Sequence, residues 1–336
     1  MSPPISVVIP AYQAEAFIAR AVTSLLEQPD VRLEVIVVVD GAHDRTAAIA
    51  ARFPGVTVLV NEENRGAPAS RNRGLAAASA PFVLFLDADD YVEGPFLRGL
   101  LATAETQALD LVLGPACREW PDGRRDFIRP ITSGDRLEIL YNWVAGHVVP
   151  PCSVLWKRDF LNQIGGWRHD LLRFQDVEVA WRGMLHTQNI AYASIAGGCG
   201  VYVQQDGPRI TTRLTPQSLR SGLEVHRWLH AELRARGELS EPIRRALRTR
   251  VYNGMALSYI WGCDAIAEEF ALTWRELGGA KHEGNILHRL ACNMIGLRWK
   301  QRLSGSLLTR RLRGALGLAS RDVDRWRSAI RSGGAG

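Results

Sequence analysis

The chain has 336 residues, enough for one large α/β domain with an appendage or for two modest domains. Its 46% hydrophobic and 23% charged residues are ordinary for a globular protein, so we expect no disorder except in the Ser-Gly-Gly-Ala-Gly segment at the end of the sequence. No stretch approaches about 18 uninterrupted apolar residues, so we expect no transmembrane helix. Because a strand-like run already begins at Ile5, we expect no charged signal-peptide head.

The net charge of +6 arises entirely in the C-terminal segment. From Lys281 onward there are 12 Lys and Arg against 3 Asp and Glu, whereas the preceding residues carry a net −3. Apolar residues such as Leu290 and Trp299 alternate with arginines there, a pattern typical of a basic helix lying on an anionic membrane. Packing against the rest of the protein with the arginines outward explains the pattern equally well. We expect no nucleic-acid partner.

The cysteines are odd in number, widely spaced and form no Cys-x-x-Cys pair. They are Cys117, Cys152, Cys199, Cys263 and Cys292. This spacing argues against a zinc site or a disulfide framework and favours a reducing compartment. We therefore expect a cytoplasmic protein, either free or peripheral on the inner face of the cell membrane.

Strand and helix patterns alternate in the N-terminal part. The predicted strands are Ile5–Ile9, Leu33–Val39, Val56–Val60 and Phe82–Leu86, and the helices between them are Ala14–Gln28, Asp44–Phe53 and Arg71–Ala78. This alternation predicts a three-layer α/β/α fold with a mostly parallel central sheet.

The later part is irregular around Pro150 and then becomes helical. Helices are predicted at Lys157–Ile164, Asp176–Met184, Leu219–Arg236, Glu241–Ile260, Ile266–Leu277, Asn285–Arg302 and Leu307–Leu316. The change of class places a domain boundary near residue 215. We therefore expect a catalytic domain at 1–215 and a helical, basic region at 216–336.

Polar residues follow three of the predicted strands: Tyr12 follows the first, Asp40 the second, and Asp87-Ala88-Asp89-Asp90 the fourth. Ligands of open parallel sheets bind beyond the carboxyl ends of the strands. Carboxylates this close repel one another unless a cation lies among them, which favours a Mg²⁺ or Mn²⁺ site that also holds a diphosphate. A solvated acidic turn is the alternative. A phosphatase-like nucleophile is a third interpretation, disfavoured by Tyr91 and Val92 after the acids.

The order of motifs resembles glycosyltransferase family 2, whose members have the GT-A, or Rossmann-like, fold. The matching segments are Ser6–Tyr12, Glu34–Thr46, Asn64–Leu75, Leu86–Asp90, Leu155–Trp167 and Gln175-Asp176. Each motif is weak alone, but their order and spacing across about residues 4 to 212 are specific.

The resemblance implies roles for individual residues. Pro10, Ala11 and Tyr12 would line the nucleobase, Asp40 would accept from the base, and Arg71 would lie near the base and phosphates. Asp87 and Ala88 would contact the donor, with Asp87 facing the ribose or a metal-bound water, Asp89 would bind the metal, and Asp176 would be the general base. The implied reaction is an inverting transfer of one sugar from a nucleoside-diphosphate sugar, with UDP favoured, to a hydroxyl of a glycan or lipid-linked acceptor. Bacterial surface polysaccharide synthesis would be the setting.

The sequence departs from the family pattern at four positions, one of which is Gln13, where Asn is usual. Val39 replaces the first Asp of an Asp-Asp-Gly motif, Gln175 replaces a Glu, and Gln205 stands where some relatives have His. These changes motivate a second hypothesis, a catalytically silent sugar-nucleotide-binding protein with a partner-docking helical tail.

Tryptophans cluster between positions 143 and 181. They are Trp143, Trp156, Trp167 and Trp181. Their rings either stack on sugars or belong to the hydrophobic core.

Overall fold

The computed structural model describes residues 4–128, 135–205, 215–280, 292 and 296–300. These residues divide into two compact units. The first comprises 4–128, 135–140, 148–170 and 175–205, and the second 141–147, 171–174 and the described residues from 215 onward. The helix predicted at Leu307–Leu316 lies outside the described residues, as does all of Asn285–Arg302 except residues 292 and 296–300.

Strands and helices alternate through the first half of the chain, as predicted. In chain order they are β1 (Ile5–Ala11), α1 (Ile18–Leu26), β2 (Leu33–Asp40), α2 (Thr46–Ala50), β3 (Val56–Asn61), α3 (Ala67–Ala77), β4 (Phe82–Phe85), β5 (Tyr91–Glu93), α4 (Phe96–Thr106), β6 (Leu111–Leu113), β7 (Ala116–Glu119) and β8 (Arg125–Ile128). The remaining elements are α5 (Arg136–Ala145), β9 (Val154–Lys157), α6 (Arg158–Gln163), α7 (Gln175–His186), β10 (Ile190–Tyr192), β11 (Cys199–Val203), α8 (Pro216–Ala235), α9 (Glu241–Ile260) and α10 (Asp264–Glu276).

The larger sheet of the described residues has seven strands in the order β10-β6-β9-β4-β1-β2-β3. All its pairings are parallel except the two made by β9, which runs antiparallel between β6 and β4. Val7, Val37 and Leu84, on the three central strands, are fully buried. The mostly parallel α/β sheet confirms the predicted fold class. A second sheet joins β5, β11, β7 and β8.

β1 continues through Pro10, although the sequence predicts that the strand stops there. Proline cannot donate to a ladder and is confined to positions where no partner is needed. β4 ends beside Val8, whose carbonyl accepts from the Leu86 N–H at 3.0 Å. The side of Pro10 that faces β4 therefore has no ladder to complete, and β1 extends to Ala11.

Helix α3 approaches β1 closely at Gly74. A Cβ atom at this position would lie 2.2 Å from Cγ1 of the buried Val8. We expect Gly74→Ala to destabilise the fold by about 1–3 kcal/mol because the central strand cannot move away, although alanine's higher helix propensity offsets part of this loss. Chemical denaturation checks it, with Ala76→Ser on the exposed side of the same helix as the control. A Gly74→Ala protein as stable as wild type would contradict this packing.

Helices α8, α9 and α10 make up most of the second unit. Thr215 and Ser218 form a capping box at the start of α8, since each backbone N–H donates to the other residue's hydroxyl, at 2.9 and 3.1 Å.

Burial lowers the pKa of His226 on α8 to about 4, so this imidazole is neutral at pH 7. No helix of the described residues is both long and apolar enough to span a membrane.

Candidate active site

Three neighbouring parallel strands, β4, β1 and β2, end at the same edge of the larger sheet. Tyr12 follows β1, Asp40 is the last residue of β2, and the acidic residues 87–90 follow β4. The structure therefore brings together at one edge the polar residues that the sequence places after separate strands. Parallel topology is the reason, because the carboxyl ends of these strands all point the same way.

The acidic residues form a tight turn. The Asp90 N–H donates to the Asp87 carbonyl at 3.0 Å, and the buried Asp90 carboxylate accepts from the Val203 N–H at 2.9 Å. Asp90 therefore joins this turn to β11. The side chains of Asp87 and Asp89 are half-buried, and the Asp89 carbonyl accepts from Arg20 at 2.8 Å.

The predicted metal site remains a prediction. In the described part of the chain no three His, Cys, Asp or Glu side chains are grouped so as to hold a metal ion. Mg²⁺ usually takes one or two carboxylates and completes its octahedron with water and substrate phosphate. The two carboxylates at Asp87 and Asp89 are oxygen donors of this kind, so the residues present fit a cation that shares its ligands with a diphosphate.

Arg71 lies beside the acidic turn. Its Nη2 is 2.5 Å from Asp87 Oδ1, and its guanidinium centre lies 4.4 Å from the centroid of the Trp167 ring. The residue is only 5% exposed. Partial exclusion of water strengthens this ion pair relative to one on the surface. A positive charge is thus held where the resemblance places the donor phosphates.

Asp176 stands in the first turn of α7, near both Arg71 and Asp87. Burial raises the pKa of its carboxyl group. A hydrogen bond from the Val177 N–H and the Arg71 charge act in the opposite direction, and the negative charge of Asp87 adds to the rise. A carboxylate with a raised pKa is a stronger base than an ordinary aspartate, which suits proton abstraction.

The Asp40 carboxylate is hydrogen-bonded to the end of β3 and to the loop before α3. It accepts from Asn61 Nδ2 at 2.7 Å, from the Arg65 N–H at 3.0 Å and from the Gly66 N–H at 2.8 Å. A carboxylate has about four acceptor positions, and three are used here. Asp40 thereby shapes the loop that leads into α3, and its contact with a nucleobase remains a prediction.

The other predicted donor residues differ in exposure. Pro10 and Ala11 are buried within β1, Ala88 is 8% exposed, and the Tyr12 side chain is 54% exposed at the end of the strand. The loop after Tyr12 is fixed by a bond of 2.9 Å from the Ala14 N–H to Thr46 Oγ1. Only Tyr12 of this group presents a ring to solvent.

The tryptophans belong to the core. None of them offers an open ring face to a sugar, since each is at most 3% exposed: Trp143, Trp156, Trp167 and Trp181.

Sequence reasoning overlooked Asn72, whose side chain is hydrogen-bonded to the backbone of Trp167. Its only signal was its place beside Arg71 in the segment Asn64–Leu75.

The model of the family described as "Glycosyl transferase family 2" matches residues 6–162. The matched region contains Asp40, Arg71, Asp87 and Asp89, and Asp176 lies beyond it. "Uncharacterized glycosyltransferase EpsJ" of Bacillus subtilis is 33% identical over 140 residues, 41% of this chain and 40% of that protein. "Succinoglycan biosynthesis protein ExoO" of Rhizobium meliloti is 34% identical over 113 residues, 33% of this chain and 32% of that protein. The chain thus matches less than half the length of either relative.

Among solved structures, S. aureus TarS 1-349 in complex with UDP-GlcNAc has a TM-score of 0.59 and 19% identity, covering 84% of this chain and 94% of that one. The same TarS fragment in complex with UDP has a TM-score of 0.55 and 23% identity, covering 68% and 65%. At these identities the likeness establishes the fold alone. It is the predicted GT-A fold.

Proposed function

The chain belongs to glycosyltransferase family 2, and on that premise we propose that it transfers one sugar, with inversion, from a nucleoside-diphosphate sugar to a hydroxyl group. UDP is the favoured nucleotide, because the fold resembles that of TarS in complex with UDP and UDP-GlcNAc. The acceptor is a glycan or a lipid-linked saccharide. The name of ExoO, which refers to succinoglycan biosynthesis, supports a role in bacterial surface polysaccharide synthesis.

One observation carries this proposal. The Arg71–Asp87 pair lies at the carboxyl edge of the sheet, close enough to Asp176 for both charges to shift the pKa of its carboxyl group. The reaction needs a positive charge for the departing diphosphate and a base for the incoming hydroxyl. Arg71 supplies the first and Asp176 the second. Arg71 lies on α3, which approaches β1 at Gly74, and Asp176 lies on α7, which approaches β9 at Gly183.

In the proposed reaction Asp176 accepts the proton of the acceptor hydroxyl as its oxygen bonds to the anomeric carbon. The bond from that carbon to the diphosphate oxygen breaks with its electron pair, and the nucleoside diphosphate leaves. Arg71 stabilises the charge on the leaving group. Asp89 and Asp87 would hold Mg²⁺ or Mn²⁺, which supplies further neutralisation of the diphosphate when bound.

Peripheral membrane contact, a cytoplasmic location and metal dependence belong to the same proposal. Membrane contact would place a lipid-linked acceptor near the protein. This part of the proposal rests on the basic composition of the segment from Lys281 onward.

The test combines binding and turnover. Thermal shift against UDP-, GDP- and dTDP-sugars with Mn²⁺ identifies the donor, because a ligand of the native state raises the melting temperature. Nucleotide release from that donor is then measured with and without saccharide acceptors, with EDTA-treated protein as the control. Acceptor-dependent release of UDP is expected. Binding without release would instead support the silent nucleotide-binding protein, and no shift with any nucleotide would refute both.

A further inference from the structure

The side chain of Asn72 is hydrogen-bonded at both ends to a residue 95 positions away. Its Nδ2 donates to the Trp167 carbonyl at 2.7 Å, and its Oδ1 accepts from the Trp167 N–H at 2.8 Å. The amide thus pairs with the backbone of Trp167 much as a neighbouring strand would. Loss of such a side chain leaves two partly buried backbone groups without a partner.

The turn that precedes Trp167 is built to allow this contact. Gly165 and Gly166 both have positive φ, and a Cβ atom on Gly166 would lie 2.7 Å from Asn72 Oδ1. Arg182 on α7 donates to the Gly166 carbonyl at 2.6 Å. Two bonds of 2.8 and 2.9 Å to the buried Glu178 hold the Arg182 guanidinium in place.

The ring of Trp167 contacts Arg71, which in turn pairs with Asp87 of the acidic turn. It packs edge-on against Phe85 at 5.0 Å between centroids and stacks on the Arg71 guanidinium at 4.4 Å. Asp87 is the only side chain of the described residues that accepts a hydrogen bond from Arg71, and Arg71 Nε has no partner there. The ring contact and this one hydrogen bond therefore hold the guanidinium in place, beside the charge interaction with Asp176.

We propose that Asn72 and Trp167 are positioning residues that hold Arg71 against Asp87. The proposal rests on the function proposed above, in which Arg71 faces the donor diphosphate. Arginine has several rotatable bonds, and fixing its planar group on a ring removes that freedom before the ligand arrives. Neither Asn72 nor Trp167 needs to touch the substrate.

The variant Asn72→Ala is expected to lower turnover by a factor on the order of 10 to 10², the size of effect that a small misplacement of a catalytic group produces. UDP affinity should fall as well. Trp167→Phe keeps an aromatic face and should retain most activity, whereas Trp167→Leu should resemble Asn72→Ala. If the ring contributed only to folding, the phenylalanine and leucine variants would have the same activity whenever their melting temperatures were equal.

A double-mutant cycle with Arg71→Lys tests the coupling. Lysine keeps the charge but has no planar group to stack, so Asn72→Ala should cost much less in that background. Thr187→Ala is the control. The Thr187 hydroxyl also donates a hydrogen bond to a side chain distant in sequence, Asp110 at 2.7 Å, but this contact lies at the amino edge of the sheet, opposite the acidic turn. Its effect should be the same in both backgrounds.

Equal losses from Asn72→Ala with and without Arg71 would overturn the proposal. The cycle is measured both on turnover and on UDP affinity. If wild type binds UDP but turns over no donor, the proposed function fails, and the affinity cycle still decides whether Asn72 positions Arg71. If wild type is active and the losses are equal, the positioning role alone fails.

Discussion

Replacing Asp176 with Asn is expected to lower turnover by a factor of about 10²–10⁴ while leaving UDP affinity nearly unchanged. The amide cannot accept the acceptor's proton, but its oxygen can still accept the hydrogen bond that the Val177 N–H donates to the carboxylate. Steady-state rates and UDP titrations measure the two effects. Asp170→Asn is the matched control, because Asp170 is an exposed aspartate a few residues before α7, paired with Arg168. Unchanged turnover in the Asp176 variant would remove this residue from the mechanism.

The same variant should melt at a higher temperature at neutral pH. Burial raises the pKa of Asp176, so the folded protein holds this proton more tightly than the unfolded chain does. Above the raised pKa the ionised carboxylate costs stability, and asparagine removes that cost. The cost disappears as the pH falls below the ordinary value of 3.8, where both states are protonated. A difference in melting temperature that does not shrink on acidification would contradict this origin.

Asp89→Ala is expected to abolish the strengthening of UDP binding by Mn²⁺ and to reduce turnover by at least about 10². Loss of one of two carboxylate ligands leaves Asp87, already paired with Arg71, as the remaining half-buried carboxylate of the turn, since that of Asp90 is buried. The cation would then bind through the diphosphate with little help from the protein. The variant retains the Asp89 backbone carbonyl, which accepts from Arg20, so the turn should keep its shape.

Isothermal titration with UDP, with and without Mn²⁺, measures the effect. Asp159→Ala, at a residue whose side chain is 80% exposed on α6, is the control. If Mn²⁺ still enhanced UDP binding in Asp89→Ala to the wild-type extent, Asp89 would not be a metal ligand. If Mn²⁺ had no effect on wild type either, the proposed metal dependence would fail while the roles of Arg71 and Asp176 would stand.

The central strands could be predicted from the sequence because each is a continuous apolar run that ends at a polar residue. β2, for example, was predicted at Leu33–Val39 and extends one residue further, to Asp40. The strands of the second sheet were not predicted, since each has only three to five residues and three of them, β5, β7 and β8, mix charged with apolar side chains. The antiparallel insertion of β9 depends on partners far away in the sequence. No local pattern specifies such pairing.

The site was predicted in part. The positions of Asp87 and Asp89 follow from the strand before them, and Asp176 came from the resemblance to the family. The contact of Asn72 with Trp167 could not have been predicted, because it joins a helix to a turn across 95 residues. The direction of the Asp40 carboxylate, toward the loop before α3, depends on the folded loop and not on the motif.

The measurement that decides most is a crystal structure of the protein with UDP and Mn²⁺. We expect the diphosphate at the carboxyl edge of β4 and β1, with the cation on Asp89 or Asp87, Arg71 toward the phosphates and Asp176 across from them. A nucleotide bound elsewhere, with that edge of the sheet occupied only by water, would contradict the proposed active site.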